Sequence, residues 1–349
     1  MNTIKVLLLN WTNSNATDFY IQILEEGFKS LFENIIRVYD INEIQDGDTV
    51  LVINPRIFCE IRKKNKNTKI YTWFQGVGPE EAYYISHNIR GFLSKLHYEY
   101  YERQALKYSV GCVFVSNAMK EHYRKKYGYN RENYFIMPCF NQGINAACFS
   151  DEKYSKPTFV YSGNLIKWQC FPQTLDIFKR IQEVIPTAEL TILTYDIEAV
   201  KSMVDEKNIR SVFINPAVKY TELPNMLARF KYGFLIREDI TLNNVATPTK
   251  MNTYLGCGLI PVITNAVKAF NEALHNSEFK VIGNTGTELI EQIRKLENRE
   301  ISASQVFNDF EKIFDDFYNK DKYVLSFSEF VSLYLSLIHI SEPTRLGMI

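Results

Sequence analysis

The sequence lacks the motifs that identify several common classes of nucleotide-binding protein. Among its 349 residues, no G-x-G-x-x-G segment follows the first strand-like run of either half, which argues against a dinucleotide-dependent dehydrogenase. No G-x-x-x-x-G-K-[ST] segment occurs either, so nucleotide hydrolysis in a P-loop is excluded. Lys and Arg together number 40, and so do Asp and Glu, so the chain lacks the net positive charge of a general nucleic-acid binder.

Cysteine is scarce and shows no pattern. The six cysteines are Cys59, Cys112, Cys139, Cys148, Cys170 and Cys257. No C-x-x-C pair and no histidine at metal-binding spacing accompanies them, so we expect neither a metal site nor a disulfide framework. No apolar run approaches the roughly 18 residues of a membrane helix. The N-terminal MNTIKVLLLNW has no cleavage site of small residues, so we interpret it as a first strand and expect a cytoplasmic protein.

Charge is distributed unevenly although the total is zero. Residues 1–55 hold three Lys and Arg against eight Asp and Glu, whereas residues 56–130 hold fourteen against six. Basic residues are concentrated in Arg62–Lys66, Arg90–Arg103 and Arg124–Tyr129, and the last two segments also contain aromatic residues. Such segments are typical of helices that contact anionic lipid at the inner face of a membrane. Solvated helix faces explain them equally well, so both interpretations stay open.

The chain is too long for one ordinary domain of roughly 150 residues. Short apolar runs alternate with amphipathic segments from Lys5–Leu9 to Asn117–Tyr127, and a second series of the same kind begins at Thr158–Ser162. This alternation predicts an α/β fold with parallel sheets. We expect two doubly wound, Rossmann-like domains, 1–155 and 156–305, that face each other across a central cleft, with C-terminal helices over 306–334 packing back across them.

An anion site is predicted between Phe234 and Thr264, where two strand-like runs flank a short helix. Thr247 is expected to cap this helix, and Pro248 suits the first helical position because it lacks an N–H group. The positive end of the helix attracts phosphate or carboxylate, and Lys250 adds a charge in the first turn. Arg237 follows the preceding strand, at the edge where α/β sheets bind ligands. An ordinary helix with a well-formed start is the alternative.

Five segments carry a resemblance to a known family. They are SGNLIKW and IREDITLNNVATPTKMNTYLGCGLIPVIT in the second half, and TWFQGVGPEEAYY, ALKYSVGCVFVSNAMKEHYRKKYGY and FIMPCF in the first. These segments resemble family 4 glycosyltransferases of the GT-B fold, of the type that assembles bacterial capsule and surface polysaccharides. The resemblance extends to about residue 330.

The resemblance implies transfer of a sugar from a nucleotide diphosphate sugar to an acceptor hydroxyl, with retention of configuration. It implies no cofactor and no metal, and its partners are the nucleotide sugar and a glycan or lipid-linked glycan, not a nucleic acid. Arg237 and Lys250 are expected to stabilise the diphosphate, and Gln75 in the first domain to meet the acceptor. The expected donor-binding positions are Gly163, Asn164, Lys167, Tyr195, Val218, Lys219, Asn243, Asn244, Pro248, Thr249 and Thr253.

The chain departs from the family pattern at three positions. Val245 and Thr253 stand where many members carry glutamate, and Asn164 stands where many carry arginine. The identity of the donor and the stereochemistry are therefore open. Two other functions are also open, namely a nucleotide-sugar epimerase or hydrolase on the same fold and a relative that binds nucleotide sugars without catalysis.

The C-terminal tail is expected to be foreign to the protein. Leu335–Arg345, LSLIHISEPTR, matches the translation of a transposase adapter used in sequencing libraries. We therefore treat 335–349 as an adapter-derived artefact and expect the natural sequence to depart from this one after about Tyr334.

Overall fold

A computed structural model describes residues 3–9 and 15–341, and the side chains of 17–334 within the longer range. The expected foreign tail, 335–349, thus lies outside the described side chains. Contacts divide the chain into two units, which we call the first and the second unit. The first unit comprises Met1–Cys139 and Asn319–Ile349, and the second comprises Phe140–Tyr318.

The first unit is a parallel sheet flanked by helices. Its elements are β1 (Thr3–Leu7), α1 (Asn15–Phe28), β2 (Asn34–Val38), β3 (Thr49–Val52), α2 (Pro55–Lys64), β4 (Lys69–Phe74), α3 (Gly78–Ile85), α4 (Ile89–Tyr108), β5 (Gly111–Phe114), α5 (Asn117–Tyr127), β6 (Tyr134–Ile136) and α15 (Lys320–Ser341). The six strands are ordered β2-β1-β3-β4-β5-β6, and all pairs are parallel. β4 and β5 are almost wholly buried, as strands of a parallel sheet are when both faces of the sheet are covered.

The last helix of the chain belongs to the first unit. α15 packs against α1, where the Phe28 and Phe327 rings lie 4.9 Å apart between centroids. Gly27 permits this approach, since a Cβ atom there would lie 2.7 Å from Cδ1 of Phe327. Lys320 of α15 donates to Glu26 of α1 at 2.7 Å.

The second unit repeats the architecture. Its elements are α6 (Asp151–Tyr154), β7 (Thr158–Ser162), α7 (Phe171–Val184), β8 (Glu189–Thr194), α8 (Ile197–Lys207), β9 (Val212–Pro216), α9 (Leu223–Leu227), β10 (Tyr232–Leu235), α10 (Thr241–Asn244), α11 (Thr249–Gly256), β11 (Ile260–Thr264), α12 (Lys268–Ala273), β12 (Val281–Gly283), α13 (Gly286–Glu297) and α14 (Ala303–Asp316). The six parallel strands are ordered β12-β11-β10-β7-β8-β9. Counted from β7, this is the order 3-2-1-4-5-6 of dinucleotide-binding folds. The predicted α/β class is therefore confirmed.

Residues 140–155, which the sequence assigned to the first domain, make their contacts with the second unit. The side chain of Asn252 in α11 is fully buried and fixes the start of this segment. Its Oδ1 accepts from the backbone N–H groups of Asn141 and Gln142 at 3.0 and 3.1 Å, and its Nδ2 donates to the Gln142 carbonyl at 3.0 Å. Further along, Lys153 Nζ donates to the carbonyl oxygens of Cys148 and Cys257.

Candidate functional site

The strand order of the second sheet reverses between β7 and β10, which are hydrogen-bonded neighbours. Successive strands are added on one side of β7 as far as β9 and then on the other side from β10 onward. The connections leave the two strands in opposite directions at this point, so a crevice forms beyond their carboxyl ends. Gly163 follows β7 and Arg237 follows β10 closely, so both lie at this edge.

Arg237 is a buried cation, with 6% of its surface exposed. Its backbone is fixed by Thr264 at the end of β11, whose Oγ1 accepts from Arg237 N at 3.0 Å and donates to the Arg237 carbonyl at 2.6 Å. One guanidinium nitrogen donates to the Ile236 carbonyl at 3.1 Å. Burial lowers the pKa of Arg237 from its usual value. The side chain also lines a cavity of about 280 Å³ bounded by β10, α7 and the start of α13.

Lys250 extends from the first turn of α11 toward the end of β7. Its Nζ donates to Oε1 of Gln169 at 3.1 Å and lies 4.8 Å from the centre of the Tyr161 ring. A Cβ atom on Gly163 would lie only 2.8 Å from this Nζ, so glycine leaves the room that the ammonium group occupies. Burial lowers the pKa of Lys250 well below its usual value, and the charge of Arg237 lowers it further.

The two cations have no anionic partner among the described side chains. Within that part of the chain, no carboxylate lies within 4.0 Å of the Arg237 guanidinium or the Lys250 ammonium group. A buried charge costs several kcal/mol unless it is paired. Two mutually repelling cations at a ligand-binding edge therefore favour an anion as the missing partner.

The start of α11 differs from the sequence expectation. The helix begins at Thr249, with Pro248 at the capping position, where its side chain makes no capping hydrogen bond. Thr247 as the cap was therefore wrong; the proline stands one position earlier relative to the helix than expected, and Thr247 lies outside. The end of the helix agrees with the prediction, because Gly258 adopts a φ of 72°, where glycine is favoured.

At two of the expected donor-binding positions the side chain already donates a hydrogen bond within the protein. Thr253 Oγ1 donates to the carbonyl oxygen of Thr249 at 3.2 Å, so its proton is not free for a ribose hydroxyl. The Asn243 side chain is buried, and its Nδ2 donates to the Glu238 carbonyl at 3.0 Å. By contrast, Oδ1 of Asn244 is buried with no hydrogen-bond partner among the described residues. Of the two asparagines, Asn244 therefore offers the unused polar atom.

The loops after β7, β8 and β9 contain the remaining expected positions. Asn164 is exposed, and its carbonyl accepts from Tyr161 OH at 2.7 Å. Tyr195 is 81% exposed after β8, and the next residue, Asp196, accepts from Leu165 N at 3.3 Å. After β9 the two positions are Val218, which is half-buried, and Lys219, which is exposed.

Gln169 is a site residue that the sequence did not indicate. Lys167 was expected to contact the diphosphate, and it begins a single 3-10 turn, Lys167–Gln169. This turn brings Gln169, two residues later, within hydrogen-bond distance of Lys250. A one-turn helix has no periodicity by which to identify the inward residue. Cys170 then enters α7 with φ of 50°, a conformation that few non-glycine residues adopt.

Gln75 lies in the first unit, directly after β4, and its Nε2 is buried with no hydrogen-bond partner among the described residues. Glu80, in the first turn of α3, accepts from Lys126 at 2.6 Å, and His122 Nε2 lies 3.4 Å away. No group of three His, Cys, Asp or Glu side chains within the described part of the chain is arranged to hold a metal ion.

No protein-family model matches the chain, and no curated protein matches it in sequence. Solved structures match it in fold. A mutant of S. aureus TarM, solved in complex with fondaparinux, alpha-GlcNAc-glycerol and UDP, matches with a TM-score of 0.61 and 13% identity over 82% of this chain and 55% of its own. Sucrose-phosphate synthase from Thermosynechococcus elongatus matches with a TM-score of 0.67 and 11% identity, over 98% and 100% of the two chains.

A third similar structure is WaaG, a glycosyltransferase involved in lipopolysaccharide biosynthesis. Its TM-score is 0.57 at 10% identity, over 97% of this chain and 100% of its own. The chain spans little more than half of TarM but the full length of the other two proteins. At identities this low the likeness concerns the fold, and the fold is that of the GT-B glycosyltransferases.

Proposed function

We propose that the protein is a glycosyltransferase that moves a sugar from a nucleotide diphosphate sugar to an acceptor hydroxyl. The observation that supports this most directly is the pair Arg237 and Lys250, two cations without an anionic partner among the described residues, at the switch point of the second sheet. A diphosphate carries the negative charge that would balance these two cations. The solved structure of TarM with UDP, on the same fold, is consistent with such a ligand.

The two cations can act on the step that breaks the bond between the sugar and the diphosphate. The departing diphosphate gains negative charge in the transition state, and fixed positive groups stabilise it there more than in the ground state. Arg237 is held by Thr264, and Lys250 by Gln169, so neither side chain must reorganise to meet this charge. They supply the charge that a metal ion supplies elsewhere, so no metal is part of this proposal.

Binding should also change the protonation of Lys250. Its pKa is lowered in the free protein by burial and by Arg237. A bound diphosphate favours the charged form, so it raises this pKa and takes up a proton wherever Lys250 was neutral. The affinity for a diphosphate should therefore decrease as the pH rises.

The finer assignment follows the resemblance of the sequence. We propose a retaining enzyme of the family 4 type that acts in the bacterial cytoplasm on capsule or another surface polysaccharide. WaaG, which shares the fold, acts in lipopolysaccharide biosynthesis. The acceptor is proposed to be a glycan, free or lipid-linked, met by Gln75, and peripheral contact with the inner face of the membrane would bring the enzyme to it. None of the described helices is long and apolar enough to cross a membrane.

A relative that binds without catalysis is the second candidate, and two observations favour it. Val245, at a position where many family members carry glutamate, is buried with 2% of its surface exposed. Thr253, at the other such position, is bonded back to its own helix. Neither residue can supply a carboxylate to the donor, so the sugar and ribose must be recognised by other groups.

Thermal unfolding of the full chain with nucleotides tests the proposal. Nucleoside diphosphates and their sugars should raise the Tm, because they bind only the folded state, and the nucleosides alone should not. Lys250→Gln should abolish this shift, whereas Lys295→Gln, at an exposed position of α13, should leave it intact. A Tm unchanged by every diphosphate would refute the proposal.

Product analysis then separates the functions. Consumption of the donor only when an acceptor is present indicates transfer, and consumption without an acceptor indicates an epimerase or hydrolase. A Tm shift with no turnover under any condition indicates the non-catalytic relative.

A further inference from the structure

The outward face of α4 in the first unit carries a stripe of exposed apolar side chains. Ile89, Leu93, Leu96 and Tyr100 follow one another at intervals of three or four residues, and Phe92 lies beside Leu93, so the five side chains form one stripe along the helix. Their exposed fractions are 80%, 49%, 56%, 46% and 51% in that order. The exposed face of an ordinary surface helix is polar. The stripe therefore makes one part of the solvent side of α4 apolar for about three turns, beside the exposed polar residues Arg90, Ser94 and His97.

The opposite face of the helix is fixed by specific contacts, so α4 cannot turn the stripe inward. A Cβ atom on Gly91 would lie 1.6 Å from the Ser86 carbonyl oxygen, which means that this position must stay against the end of α3. Glu102 is buried and accepts from Tyr127 OH at 2.6 Å and Tyr123 OH at 3.1 Å. These contacts hold the buried face in register.

The apolar surface continues onto the end of α3. Ile85, the last residue of α3, is 64% exposed, and Tyr83 is 40% exposed. Because the end of α3 abuts the first turn of α4 at Gly91, these side chains extend the stripe. A contiguous apolar patch of this kind is uncommon on a monomeric protein and marks an interaction surface.

Positive charge borders the stripe. Arg103 and Lys107 continue the same face of α4 toward its C-terminus, and both are exposed. Arg62 of α2 joins them, with its guanidinium 5.7 Å from the centre of the Tyr108 ring. At the other end Lys95 lies 5.4 Å from the centre of the Tyr83 ring. Cations beside apolar and aromatic side chains match the chemistry of a bilayer surface that carries anionic headgroups.

We propose that this surface, the α4 stripe with its bordering cations, docks on an anionic lipid bilayer. α4 would lie along the membrane plane, with Ile89, Leu93 and Leu96 at the boundary between headgroups and acyl chains. Arg103 and Lys107 would contact the lipid phosphates. The contact itself requires no donor; only its purpose, access to a lipid-linked acceptor, rests on the proposed function.

Charge complementarity favours a membrane over a second copy of the chain. A two-fold pairing of parallel α4 helices would place Arg103 and Lys107 against the same residues of the other copy. An antiparallel pairing would bury them against the apolar end of the stripe, where no carboxylate of the stripe is present to pair with them. Both arrangements desolvate cations without compensation. An anionic bilayer offers acyl chains to the apolar stripe and phosphates to the bordering cations.

Vesicle sedimentation of the full chain tests the inference. We expect binding to vesicles of phosphatidylcholine with phosphatidylglycerol, weaker binding to phosphatidylcholine alone, and release by salt because the cations contribute. Ile89→Ser/Leu93→Ser should reduce binding by at least about tenfold, since two buried apolar side chains are lost. Leu325→Ser/Leu333→Ser in α15 is the matched control, because those leucines are 63% and 57% exposed; its binding should be unchanged.

A second pair of variants tests the cations. Arg103→Glu/Lys107→Glu should abolish binding to the anionic vesicles, while Lys295→Glu/Lys312→Glu, with the same change of charge at exposed sites of the second unit, should retain most of it. The Tm shift with a nucleoside diphosphate should persist in Ile89→Ser/Leu93→Ser, which separates this inference from the donor site. Absence of vesicle binding at low salt, or binding unaffected by either α4 variant, would overturn it. So would a homodimer in solution that Ile89→Ser/Leu93→Ser dissociates, since the stripe would then join two copies.

Discussion

Two clusters of enclosed charge, one around Lys126 in the first unit and one formed by Arg237 and Lys250 in the second, are balanced in different ways. In the first unit, Lys126 of α5 lies 2.6 Å from Glu80 and 3.3 Å from Glu99, and Glu102 accepts two tyrosine hydroxyls. In the second unit, the charge of Arg237 lowers the pKa of Lys250. No described carboxylate lies within ion-pair distance of either side chain. Both clusters shift pKa values, so a shift alone does not identify a functional site. The difference lies in whether the protein itself completes the charge balance.

Substitution of Arg237 is expected to have the largest effect. If this cation serves a diphosphate, Arg237→Gln should lower kcat/KM for transfer by about 100- to 1000-fold, the usual loss when one fixed group that stabilises a leaving charge is removed. The fold should persist, since Thr264 bonds only to the Arg237 backbone. Steady-state kinetics with the donor identified by thermal shift measure this effect. Unchanged kinetics would mean that the cation is structural, like those of the first unit.

Buried Glu102 in the first unit should make the stability of the protein depend on pH. Burial raises the pKa of Glu102 to about 8, with a smaller contribution from Glu80. The folded state then holds a proton that the unfolded state releases near pH 4.3. This contribution is complete below about pH 4 and decreases up to about pH 8, by at most ~1.4 kcal/mol per pH unit.

Glu102→Gln isolates this contribution. The amide oxygen can still accept from the tyrosines but does not titrate, so the variant should gain stability relative to the wild type as the pH rises from 5 to 8. Urea unfolding of both proteins at several pH values measures the difference. Equal slopes would show that Glu102 is charged in the folded state throughout.

A single type of substitution, Lys→Met, should act with opposite sign in the two units. Lys126→Met leaves Glu80 and Glu99 without their cation and should lower the free energy of unfolding by about 1 to 2 kcal/mol. Lys250→Met removes one of two repelling cations and should leave the ligand-free protein as stable or raise its stability by about 1 kcal/mol. Urea unfolding measures both. A loss of stability in both variants would mean that Lys250, like Lys126, stabilises the ligand-free protein.

The smallest expected effect concerns the room around Lys250. In Gly163→Ala the new methyl group would lie 2.8 Å from Nζ, and the flexible lysine must move aside. We expect a loss of stability, because Gly163 has a φ of 159° that residues with a side chain rarely adopt. We also expect about a tenfold loss of diphosphate affinity, because the ammonium group is displaced from its preorganised position. Gly143→Ala is the control, since a Cβ atom there meets nothing within 4 Å. Isothermal titration with a nucleoside diphosphate compares the two variants.

Much of the fold followed from the sequence. The bounds of β7 and α5 agree with the predicted segments Thr158–Ser162 and Asn117–Tyr127, because the pattern of each segment stops where a glycine follows. α2 was missed, although Asn54 caps it and Pro55 opens it, because its last turn is basic and resembles a solvated loop. β6 was missed because three half-buried residues are too few to show a period.

Fewer of the site residues could be predicted from the sequence. Arg237 and Lys250 were found because each adjoins a recognisable strand or helix start. Gln169 and Tyr161 were not, since their roles depend on where one short turn and one ring lie in space. Whether a cation has a partner is likewise a property of distances. Composition shows equal numbers of both signs and could not indicate that these two cations lie apart from every described carboxylate.

Asn252 determines where the protein can be dissected. A fragment that began at residue 156 would leave its amide, wholly enclosed in α11, without Asn141 and Gln142, the residues that share its three hydrogen bonds. Each orphaned group would cost about 1 to 3 kcal/mol, on the helix that carries Lys250. Excision at residue 140 keeps these partners. A split protein, a permuted chain or a chimera with another transferase should therefore be joined ahead of Phe140.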